Sequence, residues 1–449
     1  MEQIRRNRHL SSAQIIAIGF FVVIMVGCML LMLPVATSDG RGASFLDALF
    51  TATSSVCVTG LAVQNTATYW SFFGQFVILL LIQVGGMGVV TVAVCITILS
   101  GKRIGLMQRT LMQESIAGPS MRGIVRLTSF ILKITVTTEL LGAVFMAPVF
   151  CRQFGPGKGL WYAVFHSISA FCNAGFDLMG TETPFCSLMG FTGQLVINIV
   201  IMVLIIWGGI GFLTWEDIFA NTWNWKKYRM QSKVILIATA FLIVLPAVYF
   251  FFIEFAREEW AGMPTGQRIL ASFFQSVTTR TAGFNTVDFA EMTEGSQAIV
   301  IMLMLIGGSP GSTAGGMKTT SIVVLLASTL SVFQKNEDAH CFGRRIGIET
   351  VKYAAAVMVM YITLFSAGGI MISMIEELPV KDCLFETASA IGTVGLTLGL
   401  TPGLSAVSRV ILILLMYLGR VGGLTVVFAA MSNRKIPQSK YPQEKIAVG

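Results

Sequence analysis

Four thirteen-residue stretches of this chain align without gaps: LFTATSSVCVTGL (49–61), VFHSISAFCNAGF (164–176), SFFQSVTTRTAGF (272–284) and LFETASAIGTVGL (384–396). Each ends in a glycine followed by Leu or Phe. These glycines, Gly60, Gly175, Gly283 and Gly395, lie 108 to 115 residues apart in a chain of 449. Ten residues before each stands a phenylalanine (Phe50, Phe165, Phe273, Phe385), and twelve before a small residue (Ala48, Ala163, Ala271, Cys383). Agreement at so many positions marks four copies of one unit, and a self-similar period of this kind dictates the architecture before any local propensity does.

The flanks repeat as well. A long apolar segment (about 13–34, 124–150, 232–255 and 350–375) leads to a loop. Then come ten to twelve residues too short to span, ending in the glycine, and a second long apolar segment. About 20 apolar residues cross the roughly 30 Å hydrocarbon core of a bilayer. Only 12% of the residues are charged and 54% are hydrophobic, whereas soluble domains carry about 25% charged residues. The expectation is an all-α polytopic membrane protein: eight transmembrane helices plus four re-entrant pore helices, in pseudo-fourfold arrangement around one ion pore. The repeats divide as 1–101, 102–226, 227–340 and 341–449, the last including a C-terminal tail.

The formal net charge of +8 raises a nucleic-acid partner, but the placement of charge argues against one. Of 31 Lys and Arg, 20 fall in five stretches: the N-terminus, 102–126, 226–233, 335–352 and the C-terminus. That asymmetry follows the positive-inside rule and puts both termini in the cytoplasm. Met1 to Pro34 reads as a retained first helix, since its apolar run is too long for a signal-peptide core. Eight cysteines lack C-x-x-C spacing, and His9, His166 and His340 lie far apart, so no disulfide framework or metal site is indicated.

A short segment that enters and leaves by one face needs non-helical backbone at membrane depth. Such backbone is tolerated only where protein or a watery cavity surrounds it. Glycine takes unusual φ/ψ cheaply. Rings of inward carbonyls can replace the water shell of an alkali cation, and helix C-termini aimed at the axis favour a cation too. The candidate cation-binding residues are Val58, Thr59 and Gly60; Asn173, Ala174 and Gly175; Thr281, Ala282 and Gly283; Thr393, Val394 and Gly395.

Thr393-Val394-Gly395-Leu396 looks like the T-V-G-Y filter of tetrameric potassium channels. With VTGL, TRTAGFN and GGSPGSTAGGMKT, the fourfold unit resembles the Trk/Ktr/HKT superfamily of cation transporters over residues 13 to 430. Eight spans without extra N-terminal helices resemble the KtrB-type membrane subunit more than the ten-span TrkH type. Members that admit sodium often carry Ser at the first filter glycine, so glycine at all four positions implies bound and transported K+. Na+ is possible as a coupling or activating ion, with no organic cofactor on this chain. The resemblance also implies a bacterial plasma-membrane location, a homodimer, and a KtrA-type cytoplasmic ring that binds adenine nucleotides.

The apolar run 298–306 is interrupted by GGSPGSTAGGMKT (307–319), then resumes. Gly308 lies 25 residues past its filter glycine, as do Gly85 and Arg420 past theirs. Pro310 forbids a continuous helix. The stretch is expected to break the helix beneath the filter, its backbone satisfied by water or side chains, and the resemblance implies that it is the gate. The gate candidates are Gly307, Gly308, Gly311, Gly315, Gly316, Lys318 and Arg420. Met317 separates Gly316 from Lys318, and no strand precedes, so the stretch is not a phosphate-binding P-loop. The Gly-Gly pairs at 85–88, 208–211 and 419–423 read as helix-packing or bend sites.

A charge at the bilayer centre is expensive, which singles out Arg420. It is expected to face the pore and bond carbonyls of the 307–316 loop; the alternative is pairing with backbone carbonyls in the bundle. Arg280 is expected to brace the third filter, with Glu139 and Glu386 as candidate partners. Lys318 either snorkels or anchors the loop, and Lys133 can snorkel. An intramembrane enzyme would need convergent Asp or His inside the spans, which the sequence lacks, so the chain reads as a potassium-uptake permease, with a sodium-coupled or sodium-permeable carrier as the nearer alternative.

Overall fold

The computed structural model describes residues 10–100, 104–115, 123–222 and 224–423, with 425, 442, 444 and 446. The basic N-terminus, the C-terminal tail and part of the 102–126 stretch lie outside the described residues. Within them run sixteen α-helices: α1 (Ser12–Leu31), α2 (Phe45–Val56), α3 (Phe72–Met87), α4 (Val89–Leu99), α5 (Leu106–Ser115), α6 (Ile124–Phe154), α7 (Pro156–Phe171), α8 (Leu195–Gly209), α9 (Phe212–Asn221), α10 (Met230–Tyr249), α11 (Thr265–Thr278), α12 (Glu294–Leu305), α13 (Thr319–Phe333), α14 (Ile348–Glu376), α15 (Val380–Gly392) and α16 (Ala406–Val421). One departure from an all-helical fold appears. His340–Cys341 (β1) and Arg344–Arg345 (β2) pair antiparallel through a turn with Phe342 at φ 50° and Gly343 at φ 71°, the two left-handed positions a type I′ hairpin requires.

The first long segment of each unit is a helix near its expected bounds. Helix α1 starts on a capping box, with Ser11 and Gln14 exchanging side-chain and backbone bonds, which satisfies two orphan amides. Helix α10 carries Pro246 and relaxes into a π turn at Phe250–Glu254; a proline inside a helix removes one i→i−4 bond. These helices, with α6 and α14, are long and apolar enough to cross a membrane, and two bent pairs bring the number to as many as six. Phe21, Leu140, Val144, Phe241, Leu245 and Val359 stand exposed along them, as a lipid-facing surface requires.

The second apolar segments are bent or interrupted rather than straight. Helices α3 and α4 meet at 95°, and α8 and α9 at 97°. The third segment is divided between α12 and α13 by the 307–319 interruption, and α16 stops at Val421. A G-x-x-G recurs at all four places: Gly85/Gly88, Gly208/Gly211, Gly308/Gly311 and Gly419/Gly422. The second glycine of each pair has φ between 63° and 93°, a region glycine enters without steric penalty. In three of the four, the first glycine lies against the end of a short helix. A Cβ there would stand 2.0 Å from the Val56 carbonyl oxygen at Gly85, 2.0 Å from that of Phe171 at Gly208 and 2.2 Å from that of Ile391 at Gly419. Both readings of these glycine pairs hold, packing at the first glycine and bending at the second.

Each short helix (α2, α7, α11, α15) packs on the first long helix of its own unit, and the second helix of one unit packs on the short helix of the next. The pairs are α3 with α7, α8 with α11, α12 with α15 and, closing the ring, α16 with α2. Asp47 and Arg409 pair at 2.9 Å between the first and fourth units. The short helices run to 12, 16, 14 and 13 residues, a little longer than expected and still too short to cross. Their C-terminal turns form the most buried part of the molecule.

Candidate functional site

The four glycine segments that follow the short helices meet. A Cβ on Gly60 would lie 2.5 Å from the carbonyl oxygen of Ala174, on Gly175 2.7 Å from that of Ala282, on Gly283 2.5 Å from that of Val394, and on Gly395 2.1 Å from that of Thr59. The contact order 60, 175, 283, 395 and back to 60 is a closed ring with no room for a side chain. All four glycines line one cavity of about 110 Å³, shared with Asn65, Asp177, Asn285 and Thr397.

The backbone of the ring is unusual in the same way four times. Gly60, Gly175, Gly283 and Gly395 have φ of 92°, 67°, 82° and 94°, and the residues two before them, Val58, Asn173, Thr281 and Thr393, have φ of 57°, 59°, 64° and 51°. A left-handed non-glycine residue costs of order 1–3 kcal/mol and persists only where its surroundings over-determine it. Three of these residues are β-branched, for which the conformation is a genuine outlier. The glycines were legible in the sequence; the strained residue two places earlier was not.

What enforces the conformation is a set of hydroxyls that periodicity alone does not reveal. The amides of Thr59, Ala174 and Val394 donate to the carbonyls of Ser54, Ser169 and Ser389 at 2.8, 2.7 and 2.8 Å. The Ser54 and Ser389 side chains also accept from the Gly60 and Gly395 amides at 3.1 and 3.0 Å, and Ser169 Oγ donates to the Phe176 carbonyl at 2.7 Å. In the third unit Thr278 takes this part: its carbonyl accepts from the Ala282 amide at 2.9 Å and its hydroxyl donates to Phe284. Thr278 lies five residues before its glycine where the serines lie six. Correspondingly Phe274 is buried and Phe273 is 39% exposed, so the gapless alignment slips by one residue within α11. Around the second strand, His166 Nε2 faces the Leu178 amide at 3.4 Å, its Nδ1 2.7 Å from the Tyr162 carbonyl.

Directly against this ring lies the 307–319 stretch. A Cβ on Gly315 would stand 2.1 Å from Thr393 Oγ1, and on Gly316 2.7 Å from the Gly392 carbonyl oxygen. Neighbouring protein bonds much of the stretch's backbone. The Ser309 and Thr313 amides donate to Gly209 and Gly208 at 3.0 and 3.3 Å, Gly316 donates to Gly419 at 3.2 Å, and Phe212 donates back to Gly311 at 2.7 Å. Thr313 Oγ1 donates to the Phe171 carbonyl at 3.0 Å and lies 3.1 Å from Asn173 Oδ1. Gly307 closes the stretch on itself with a 2.8 Å bond to the Met317 carbonyl. Its third-unit break is thereby docked on those of the second and fourth units.

Three cations hold the assembly. Arg420 donates to the Thr313 and Gly85 carbonyls, and to Gly86 at 3.0 Å. One guanidinium thus touches both the loop carbonyl of the expectation and the bundle carbonyls of its alternative. Lys318 Nζ donates to the Ala314 carbonyl of the same stretch at 2.9 Å. Arg280 departs from expectation: its partners are the Ile306 carbonyl at 2.9 Å and Thr319 Oγ1 at 3.0 Å, the two ends of the loop. Asn173 in turn donates to the Arg280 carbonyl at 3.1 Å. Neither candidate carboxylate reaches Arg280. Glu139 accepts from Gln83 at 3.2 Å, and Glu386 from Thr401 at 2.7 Å and the Leu398 amide at 3.2 Å. Lys133 is exposed on α6.

Sequence reasoning also missed Asp177, a half-buried carboxylate in the cavity above the ring, its Oδ1 accepting from the Met179 amide at 2.9 Å. Burial pushes its carboxyl up to about 6, against the pull of that amide. An aspartate two residues past a glycine carries no sequence signal of its own. Among the described residues no cluster of His, Cys, Asp and Glu could hold a metal ion.

Residues 5–443 match the family described as TrkH, cation transport protein. The chain is 39% identical to the potassium/sodium uptake protein NtpJ of Enterococcus hirae over 99% of both chains. It is also 39% identical to the Ktr system potassium uptake protein B of Bacillus subtilis, over 97% of this chain and 96% of that one. Its fold resembles the crystal structure of the potassium transporter TrkH from Vibrio parahaemolyticus, with a TM-score of 0.74 over 95% of this chain and 86% of that one at 18% identity. A match to nearly the whole chain, joined to apolar helices and four converging glycine strands, makes this protein a member of the Trk/Ktr family of membrane cation transporters.

Proposed function

We propose that this chain is a potassium-uptake permease in which the four strands at 58–60, 173–175, 281–283 and 393–395 form one selectivity filter. In this reading the units 1–101, 102–226, 227–340 and 341–449 each contribute a long helix, a re-entrant pore helix and a second segment around a common axis. The observation that carries it is the closed contact order of Gly60, Gly175, Gly283 and Gly395, each against a carbonyl oxygen of the next unit. Carbonyl rings of this kind can exchange for the hydration shell of K+. The buried hydroxyls of Thr281 and Thr393, without a hydrogen-bond partner among the described residues, supply further oxygens where a cation would leave the ring. K+ is the cargo, and the chain transports it without chemical change.

The loop 307–319 is the gate, with Gly307, Gly308, Gly311, Gly315 and Gly316 giving it mobility. Lys318, Arg280 and Arg420 hold it in the packed position. Opening breaks the bonds to Gly208, Gly209, Gly419 and Arg420, all of them hydrogen bonds of modest net worth, about 0.5–1.5 kcal/mol each. The energy to break them comes from outside this chain. The proposal extends to a homodimer in a bacterial plasma membrane, both termini cytoplasmic, working with a nucleotide-binding KtrA-type ring; its support is the likeness to relatives named as parts of Ktr potassium uptake systems.

The name of the Enterococcus hirae relative favours a second reading, in which Na+ is co-transported or admitted. Purified protein in liposomes, with K+ and Na+ gradients set independently, separates the two. Flux of K+ without Na+ supports the permease. K+ movement that requires Na+ supports the carrier, and flux of neither ion contradicts both.

A further inference from the structure

One charged surface and one apolar slot, next to each other at the foot of α10, are used by nothing above. The slot is a cavity of about 450 Å³ between α10, α13 and α14, walled by Val234, Val323, Val324, Ala354, Val357 and, from the gate loop, Pro310. That volume falls within the roughly 300–1,000 Å³ of small-ligand sites. Where α10 begins, the slot meets a second cavity of about 540 Å³ lined by Lys226, Lys227, Arg229, Lys233 and Arg344. Met230 lines both cavities, and the β1–β2 hairpin gives Cys341 and Arg345 to the first and Phe342 and Arg344 to the second.

No acidic residue lines the basic cavity. Arg229 is held by Glu216 at 3.1 Å and Arg345 by Asp338 at 2.9 Å. Lys226, Lys227, Lys233 and Arg344 have no carboxylate within ion-pair distance among the described residues. Four unpaired cations sit where a membrane span starts, above an apolar slot that continues along that span. This is the shape and charge of an anionic amphiphile. A soluble anion would leave the slot unfilled, and a zwitterionic lipid would leave the cations uncompensated.

We propose that these two cavities form one seat for an anionic phospholipid, its phosphate headgroup on Lys226, Lys227, Lys233 and Arg344 and an acyl chain in the slot against Pro310. Because the loop supplies part of the slot wall, an occupied seat props it in the packed position. The seat therefore gives the lipid composition of the basic-side leaflet a direct contact with the loop.

The test measures lipid retained by the purified full-length protein in detergent, by native mass spectrometry, with phosphatidylglycerol and phosphatidylcholine offered at equal concentration. Retention is read without transport, so its outcome is independent of the permease reading. The expected result is preferential retention of phosphatidylglycerol. Each cation near a lipid surface is worth roughly fivefold in affinity, so K226Q/K227Q/R344Q should lose most of the preference. Val323→Trp, which fills the slot and leaves the charges intact, should lose retention as well; Val357→Phe is the milder variant should the first not fold. Equal retention of the two lipids by the parent overturns the proposal and leaves the cations as topological charge alone. So does a slot variant that keeps full retention, or displacement of the lipid by millimolar glycerol phosphate, since either places binding in the headgroup charges without a seat.

Discussion

Arg420, near the end of the last described helix, donates a hydrogen bond to the carbonyl of Thr313 in the middle of the interrupted span, 107 residues earlier in the chain. Its other terminal nitrogen reaches the Gly85 and Gly86 carbonyls at the first-unit break. One guanidinium thus ties the breaks of three units together, directly beneath the converging strands. Its five donors in a fixed fork suit several carbonyls at once, and an ammonium does not replace them.

Arg420→Ala should therefore have two effects. The Thr313, Gly85 and Gly86 carbonyls each lose a donor, Gly85 keeping the Gly88 amide; a buried carbonyl left unsatisfied costs about 1–3 kcal/mol, so the melting temperature falls. The loop loses its tie, so K+ flux per folded protein rises. Arg420→Lys should recover part of the stability and little of the closure. The check is thermal unfolding in detergent beside liposome flux; a melting temperature lowered without faster flux would make Arg420 purely structural.

Gly60→Ser puts a side chain 2.5 Å from the Ala174 carbonyl oxygen. The ring must shift to admit it, and the K+/Na+ preference is expected to fall by about tenfold, the equivalent of about 1.4 kcal/mol. Competition flux with the two ions at equal concentration measures this, and an unchanged ratio would remove these strands from the filter.

The long helices, the unusual glycine backbone and the break at 307–319 were legible in the sequence, because each rests on a residue type whose backbone or solvation behaviour is distinctive. Apolar runs report spans, Gly60 and its equivalents report an unusual φ, and Pro310 reports a break. Two kinds of feature were not legible. Arg280 bonds Ile306 and Thr319 rather than a glutamate, because a buried arginine can be satisfied by carbonyls, which every residue carries. Likewise the one-residue slip in α11 is invisible to alignment, since Phe273 and Phe274 are adjacent and only packing chooses between them.

The packing glycines carry a stability prediction. A Cβ on Gly85 or Gly208 would stand 2.0 Å from a carbonyl oxygen at the end of the neighbouring short helix. Such overpacking costs typically 1–3 kcal/mol. Gly85→Ala and Gly208→Ala should lower thermal stability by about that amount, as read by unfolding in detergent. Gly157→Ala, where no atom lies within 4 Å, is the control and should be neutral.

Asp177 is expected to give uptake a pH dependence. Burial pushes its carboxyl up to about 6, so the group is ionised at pH 7.5 and becomes neutral as external pH falls through about 6. A negative charge at the mouth concentrates cations, and its loss slows uptake when K+ is scarce. Uptake from low K+ should therefore drop between pH 7.5 and 5 in the parent. In Asp177→Asn it should start lower and stay flat. A parental pH profile in the variant would assign the titration elsewhere.

The central claim is that the 307–319 loop closes the pathway. The most direct measurement is K+ flux in liposomes, at matched protein incorporation, for a variant lacking residues 308–317. That deletion removes the Thr313 carbonyl and Gly315 from beneath the ring but keeps Ile306 and Thr319, the partners of Arg280. The account predicts a folded protein whose K+ flux is much faster and whose K+/Na+ preference is unchanged. A folded deletion variant with unchanged or slower flux would contradict it.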